Sequence, residues 1–256
     1  GAIASAKRLG AHWLSKTGHQ NQNKKNKEWS SQKKPKKAQQ KRKDKRRIIA
    51  STSCEHNVFT HFPKDPNCLI CIRNSTQRAR CSSSHTVRAD GLPIPEKFGD
   101  AITADHKILN EDDDSRTKDH AVCVICDRHT SWTEGFPGQS KNSAETKHAF
   151  QRFLGPKGKC LHCYSDNSKE INKACEDLGF SHDTSTPHRS ETNGVAERAV
   201  RRVKEGTSKT RDQSGFSEDW WAWAMVCYCF LRNAVDRQKD GKTAYQKRFG
   251  VSFLVH

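Results

Sequence analysis

Apolar and polar residues alternate in short blocks along the second half of the chain, and five of these blocks predict β-strands. Residues 101–109 are mostly apolar, and residues 120–126 (HAVCVIC) are continuously apolar after the histidine. An unbroken apolar run of this length is typical of a central strand that is buried on both faces. The other predicted strands are residues 131–136, 159–165 and 180–186. The first three strands follow one another closely, which favours an antiparallel meander.

Four further segments have the apolar spacing of helices. The first begins near Asn142, whose side chain suits a helix start, and ends at Gly155-Pro156. A short amphipathic helix ends at Gly179, and a longer one contains residues 195–204. The last, from about residue 218 to residue 236, is apolar almost all round. Its aromatic residues would suit stacking on nucleic-acid bases, but their spread over the whole circumference favours core packing.

The first fifty residues differ from the rest in composition and charge. They hold 16 Lys and Arg against 2 Asp and Glu, and so carry +14 of the formal net charge of +17. We expect such a polar segment to be disordered and to bind polyanions, with nucleic acid first and an anionic membrane surface second. The run from Lys33 to Arg47 also resembles a nuclear localisation signal, although many nucleic-acid binders contain such runs.

The sequence has no signal peptide and no apolar run of about eighteen residues, the length that a membrane-spanning helix needs. A soluble intracellular protein is therefore the expectation. The chain opens on Gly1 rather than Met, which suggests a fragment or a processed piece.

Four residues of metal-ligand type lie close together between the tail and the first strand, with the spacing H-x4-H-x6-C-x2-C. They are His56, His61, Cys68 and Cys71. Two imidazoles and two thiolates suit tetrahedral zinc, and the C-x2-C spacing presents both sulfurs to one ion. Cys54 and Cys81 flank the group as alternative ligands. The other interpretation is a polar loop with incidental His and Cys.

Two further C-x2-C pairs, Cys123/Cys126 and Cys160/Cys163, fall within predicted strands. Residues three apart on a strand point to opposite faces, so we expect neither pair to share an ion. Buried strand cysteines are the preferred interpretation. The total of 11 cysteines is odd, which also argues against a disulfide framework in an intracellular protein.

These features divide the chain into four segments. Residues 1–50 form the disordered basic tail, residues 51–81 a small zinc-binding module, residues 82–96 a linker rich in Ser, Pro and Gly, and residues 97–256 a larger domain with C-terminal helices. The acidic run at residues 111–114 lies in a turn between strands, where a solvated charge cluster is a better explanation than a metal site.

Three acids from distant parts of the chain are candidates for a second kind of metal site. Asp105 lies on the first strand, Asp166 follows the fourth, and Glu197 opens a basic helix. Together they are the minimum set for holding two divalent ions. Arg201 and Lys204 share a helix face with Glu197, which would suit a metal site beside a phosphate backbone. The alternative is a solvated face with an ordinary i, i+4 ion pair.

The order of elements and several short motifs resemble the ribonuclease-H-like core of retroviral and retrotransposon integrases. The motifs are TAD at 103–105, SDN at 165–167 and ETNGVAERAVRRVKE at 191–205, preceded by the HHCC group. The run TNGVAER is similar to the Copia-type signature, and GKTAYQKRFG at 241–250 resembles the segment that follows the core in those elements. The resemblance implies an α/β fold with a mixed five-stranded sheet flanked by helices.

The resemblance also implies a function and roles for single residues. Asp105, Asp166 and Glu197 would be the catalytic DDE triad, which binds two Mg²⁺ (or Mn²⁺) ions and joins element DNA 3′ ends to target DNA. Asn167 would support Asp166. DNA would also contact the residues Asn193, Gly194, Arg201 and Lys204. The HHCC group would hold one Zn²⁺. The expected partners are element and target DNA and further copies of the chain, with no membrane, in the nucleus or in a cytoplasmic element particle before import.

Three departures from the family pattern leave other functions open. The two histidines lie closer to the cysteines than in most retroviral members, so a smaller knuckle would replace the three-helix zinc domain. Only 30 residues separate Asp166 from Glu197, and Ser168 stands where the family generally has Gly. The chain also stops at His256 with no convincing carboxy-terminal DNA-binding domain. One alternative is a non-catalytic nucleic-acid-binding protein derived from a decayed or repurposed integrase. Another is a ribonuclease H or a cut-and-paste transposase of the same fold.

Overall fold

The protein is described here from a computed structural model. It covers residues 56–75, 94–108, 114–184 and 194–253, which all fall in one compact unit. The basic tail, most of the 82–96 linker and most of the acidic run lie outside the described residues. So do the predicted site residue Asn193 and the alternative zinc ligands Cys54 and Cys81.

A mixed five-stranded sheet forms the centre of this unit, as the sequence predicted. The strands are β1 (Ala101–Ile108), β2 (Ala121–Asp127), β3 (Thr133–Gly138), β4 (His162–Ser165) and β5 (Ser181–Thr184). Their order across the sheet is β3-β2-β1-β4-β5. The first three form the expected antiparallel meander, whereas β4 and β5 run parallel to β1. The carboxyl ends of β1 and β4 therefore meet at one edge of the sheet.

Helices cover both faces of the sheet. They are α1 (Leu69–Asn74), α2 (Ser143–Leu154), α3 (Lys169–Leu178), α4 (Gly194–Ser214), α5 (Trp221–Val235) and α6 (Ala244–Phe249), with a 3₁₀ turn at Glu218–Trp220. Alternate residues of β2 pack into two separate cores: Ile125 joins the one under α2 and α3, and Val124 the one under α4 and α5. The prediction that this strand is buried on both faces is confirmed. Among the described helices, none is long and apolar enough to cross a membrane.

The start of β4 corrects one interpretation made from the sequence. The predicted strand began at residue 159, but the observed one begins at His162, so Cys160 precedes it. Cys160 and Cys163 consequently lie in the same core, and the argument that they face opposite sides is wrong. The argument is correct for the pair on β2, because Cys123 and Cys126 belong to different cores.

The last long helix is also less buried than its sequence predicted. Met225, Tyr228 and Cys229 pack in the core. The opposite face exposes an apolar stripe, which consists of Trp223, Val226 and Phe230. Core packing over the whole circumference is therefore wrong, and one side of α5 presents apolar groups to the solvent.

The close packing of α4 on α5 depends on Gly206. A Cβ atom at this position would lie 2.0 Å from Cζ of the Tyr228 ring, which is itself buried. We expect Gly206→Ala to destabilise the fold by roughly 1–3 kcal/mol, because a packed aromatic ring must move. Thermal unfolding should show a melting temperature lower by about 2–4 °C per kcal/mol.

Gly194→Ala is the matched control for this substitution, since it changes the same residue type at the start of the same helix. A Cβ there meets only the flexible end of Arg198, at 3.2 Å. Equal melting temperatures for Gly206→Ala and the control would contradict this account of the α4–α5 contact.

Candidate functional site

Asp105, Asp166 and Glu197 are carried by three separate elements that converge at one edge of the sheet. Asp105 lies within β1, and Asp166 directly follows β4. Ala104 pairs with Ser165 in the parallel ladder, so the two aspartates are the next residues on neighbouring strands. Glu197 lies in the first turn of α4, a helix that packs against β1 and β2. Although only 30 residues separate Asp166 from Glu197, α4 still packs against the sheet.

The electrostatics of Asp105 show that the three carboxylates act on one another. Burial, the charge of Asp166 and the charge of Glu197 together raise the pKa of Asp105 to about 6, against a lowering effect of the His106 backbone amide. The Oδ1 atom of Asp166 is buried without a hydrogen-bond partner. Buried, mutually repelling carboxylate oxygens are unfavourable unless a cation balances them. The chemistry of this donor set therefore suits a hard divalent ion such as Mg²⁺.

The carboxylates are spaced more widely than the ligands of a single closed cage. Within the described ranges, only two groups bring three or more His, Cys or acidic donors within 4.8 Å of one another, and the acid triad is not one of them. Two ions held by shared carboxylates lie about 3.5–4 Å apart, so their ligands span a larger space than those of one ion. A pair of ions therefore does not require the three acids to meet the spacing of a single-ion site.

Two further residues beside the triad were not identified from the sequence. Lys141, in the loop before α2, lies 3.4 Å from Glu170 Oε2, and its charge lowers the pKa of Asp105. Burial, assisted by Lys141, lowers the pKa of His106 to about 4, so its imidazole is neutral at pH 7. Its Nε2 lies 3.1 Å from the hydroxyl of Thr146. Chain folding brings Lys141 to the site, whereas His106 directly follows Asp105 on β1.

The turn after Asp166 tolerates the serine that replaces the family's usual glycine. Ser168 has φ −76°, a conformation open to any residue, and precedes the first residue of α3. Its hydroxyl donates to Glu170 Oε2 at 2.7 Å. The side-chain oxygen of Asn167 accepts a hydrogen bond from Asn172 at 3.0 Å, and the role of Asn167 in supporting Asp166 stays a prediction.

The basic face of α4 points outward beside Glu197. Gly194 is the first residue of this helix, and Glu197, Arg201 and Lys204 are all exposed. Among the described residues, no ion pair joins Glu197 to Arg201, although the exposure of this face agrees with the alternative of a solvated surface. Both cations are accessible to an external polyanion.

The four predicted zinc ligands come together in a small module that packs on α4. The ligand atoms of His56, His61, Cys68 and Cys71 lie within 4.8 Å of one another. His56 Nε2 is 3.3 Å from His61 Nδ1, which is 3.5 Å from Cys68 Sγ. In a tetrahedral zinc site, bond lengths of 2.0–2.3 Å place two nitrogens about 3.3 Å apart and a nitrogen and a sulfur about 3.5 Å apart.

The hydrogen bonds around both histidines also fit a bound ion. The Nδ1 of His56 donates to the carbonyl of Pro63 at 2.7 Å, and the Nε2 of His61 donates to Gln213 Oε1 at 3.0 Å. The other ring nitrogens are then unprotonated and face each other, which is unfavourable without a cation between them. Ligating histidines commonly donate their second ring nitrogen to an oxygen in this way. A backbone hydrogen bond from Cys71 also lowers the pKa of Cys68, favouring the thiolate that zinc requires.

A scan of protein-family models finds no match to this chain, and neither does a search of curated proteins. Solved structures do resemble it. A chain of the simian T-cell lymphotropic virus intasome in complex with PP2A regulatory subunit B56 gamma has 18% identity and a TM-score of 0.49, covering 70% of this chain. This protein spans only 62% of the length of that chain.

Two other similar structures are integrase catalytic cores. The HTLV-2 core in complex with magnesium has 20% identity and a TM-score of 0.45, with coverage of 59% of this chain and 97% of its own. The BIV core has 18% identity and a TM-score of 0.43, with coverage of 58% and 92%. The strand order of the protein itself, with three antiparallel strands, two further strands parallel to β1 and helices on both faces, is the ribonuclease-H-like fold that its sequence predicted.

Proposed function

We propose that the protein is a retrotransposon integrase-like polynucleotidyl transferase that joins element DNA 3′ ends to target DNA. The observation that supports this proposal best is the convergence of the elements that carry Asp105, Asp166 and Glu197, two neighbouring parallel strands and a helix packed against them. Burial and the charges of Asp166 and Glu197 also raise the pKa of Asp105 to about 6, as expected for acids that share one electrostatic environment. A fold needs no such repelling cluster for its stability, whereas two-metal phosphoryl transfer requires one.

The three carboxylates would hold two Mg²⁺ or Mn²⁺ ions in this proposal. Bound ions supply Lewis-acid activation of the attacking oxygen and neutralise charge on the leaving oxygen. The protein's own contribution is to fix the carboxylates on two strands and a helix, so that little reorganisation is needed when the substrate arrives. Asp105 is mostly ionised at pH 7 with a pKa of about 6, and is therefore ready to bind a cation.

DNA would be held mainly through its phosphates. Arg201 and Lys204 are exposed on the same helix as Glu197, within two turns of it, and suit phosphate contacts beside the reacting centre. Gly194 is the first residue of that helix, and the proposal places further DNA contacts at Gly194 and at Asn193, which precedes it in the sequence. Such binding has weak sequence preference and strong salt dependence.

Self-association and nuclear location also belong to the proposal. The exposed apolar stripe on α5, which contains Trp223 and Phe230, supports association with further copies of the chain. The basic run from Lys33 to Arg47 supports transport of the protein, or of a cytoplasmic element particle, to the nucleus.

A DNA-joining assay tests the proposed activity. The full chain is incubated with a labelled duplex library, whose terminal base pairs are randomised, and with a supercoiled plasmid target. We expect joined products with Mg²⁺ or Mn²⁺, none without a divalent ion, and none with the Asp166→Asn variant. Glu176→Gln serves as the matched control, because it also converts an acid into its amide but lies exposed on α3.

Salt-sensitive DNA binding without joining in either the wild type or the control would overturn the proposed activity. It would support the alternative of a non-catalytic nucleic-acid-binding protein that keeps the fold. Cleavage of RNA strands without DNA joining would indicate a ribonuclease H instead.

A further inference from the structure

Two thiols and an imidazole lie together under the end of β4, apart from both sites described above. Cys163 on β4, Cys175 on α3 and His182 on β5 each offer one ligand atom, and the three atoms lie within 4.8 Å of one another. Both cysteines are fully buried, whereas His182 is half-buried on the edge strand of the sheet. An ion would therefore reach the group from the β5 edge.

The backbone fixes this arrangement. Cys163 pairs with His182 in the parallel ladder between β4 and β5, so their side chains point to the same face of the sheet. The helix α3 packs on that face, and Cys175 lies in the same core as Cys163. A hydrogen bond between the two thiols raises the pKa of Cys163. The two sulfurs are thus already neighbours in the folded chain.

A chain of hydrogen bonds sets the protonation of His182. The hydroxyl of Ser165 donates its single proton to the backbone carbonyl of Asp166 at 2.7 Å. The same oxygen lies 2.8 Å from His182 Nε2, and must therefore accept a proton from that nitrogen. Burial lowers the pKa of His182, so the ring is neutral at pH 7 and Nδ1 carries a free lone pair. This is the pattern of ligating histidines, in which the second nitrogen donates to an oxygen.

We propose that Cys163, Cys175 and His182 form a second binding site for Zn²⁺ or another thiophilic divalent ion, with water as the fourth ligand. Tetrahedral zinc places two sulfurs about 3.8 Å apart, so donors within 4.8 Å need to close by only about 1 Å. Binding releases the two thiol protons to the solvent, because thiolates are the ligands. With three protein ligands rather than four, this site binds zinc more weakly than the HHCC group.

An ion bound by Cys163, Cys175 and His182 would cross-link three elements close to the acid cluster. Bound zinc would join β4, β5 and α3 to one another immediately before Asp166. The Ser165 hydroxyl accepts a hydrogen bond from His182 and donates one to the backbone carbonyl of Asp166. These two bonds link the proposed zinc site to the acid cluster.

Counting bound zinc by native mass spectrometry tests the proposal. The full chain is equilibrated with a small excess of Zn²⁺ and desalted before measurement. We expect two equivalents in the wild type and one in both the Cys175→Ala and His182→Gln variants. Cys160→Ala is the matched control, because Cys160 is a buried thiol of the same core that lies outside the donor group, and it should keep two.

His182→Gln distinguishes loss of a ligand from misfolding. The residue is half-buried on an edge strand and its replacement is polar, so we expect this variant to fold. Its melting temperature without added zinc should match that of the wild type. One equivalent in the wild type would overturn the proposal. Two equivalents retained in both His182→Gln and Cys175→Ala would overturn it as well, since the second ion would then lie elsewhere. Neither result bears on DNA joining.

Discussion

Replacing Asp105 by Asn should lower metal-dependent DNA joining by at least about 10³-fold, the usual order for loss of a catalytic group. The same substitution should raise the melting temperature of the magnesium-free protein at pH 7.5. Both effects follow from one cause. The carboxylate of Asp105 repels Asp166 and Glu197 in the folded chain, and this repulsion destabilises the fold unless a bound cation offsets it.

The pH dependence of the stability gain follows from the pKa of Asp105. Its folded-state pKa is about 6, above its ordinary value of 3.8, so the folded protein binds this proton more tightly than the unfolded chain. The wild type therefore loses stability as the pH rises from about 4 to about 6. Asn does not ionise, so the advantage of Asp105→Asn is small at about pH 4, roughly half developed at pH 5 and complete above about pH 7.

Solvent screening reduces the stability that Asp105→Asn should gain. A shift of about two pKa units corresponds to roughly 3 kcal/mol, which we reduce to about 1–2 kcal/mol because the carboxyl is partly exposed. That is a rise in melting temperature of about 2–8 °C, measured by circular dichroism in magnesium-free buffer without chelator, so that zinc stays bound. Added Mg²⁺ should stabilise the wild type and leave Asp105→Asn unchanged.

The matched control is Glu176→Gln, whose acid is exposed on α3 and pairs with Lys173. It should change neither the joining rate nor the melting temperature by a comparable amount. If Asp105→Asn melts at or below the wild-type temperature at pH 7.5, the carboxylates do not repel one another strongly, and the acid cluster is not a metal site.

The features that the sequence predicted well are those set by local pattern. The unbroken apolar run at 121–126 predicts a strand buried on both faces, because no polar side chain in it needs solvent. Gly155 and Gly179 end their helices as expected. The acids were recognised because Asp105 lies within a strand-like run, Asp166 follows another and Glu197 opens a helix, and a sheet can bring such segments together.

The features that were missed depend on tertiary contacts. Lys141 is one of many loop lysines in the sequence, and only the folded chain brings its charge beside Asp105. The strand β3 starts at Thr133 rather than at Ser131, because Ser131 adopts a left-handed turn conformation with φ 61°. The exposed face of α5 was not foreseen either, since its apolar residues resemble core residues until packing on one side only is known.

The second large effect is expected from loss of zinc at the HHCC group. Cys68→Ser should remove one zinc equivalent and lower the melting temperature by roughly 5–10 °C, since structural zinc supplies folding free energy directly to a small module. Cys68 is the less buried of the two cysteines, so its replacement disturbs packing little. Limited proteolysis should then cut within residues 56–75, which the wild type should protect. Cys227→Ser, at an exposed thiol, is the matched control and should keep the zinc.

Loss of this zinc should also weaken the contacts that hold α4, the helix that carries Glu197. His61 contacts Gln213, and Asn74 donates to Asp212 at 2.7 Å, so the module holds the C-terminal half of α4. Thr60 donates to Asp236, whose pKa is raised to about 6 by burial and which needs that partner. A disordered module would remove these contacts together and leave buried polar groups unsatisfied, so we expect DNA joining to fall with the melting temperature. Full zinc content and wild-type proteolysis in Cys68→Ser would show that this cysteine is not a ligand.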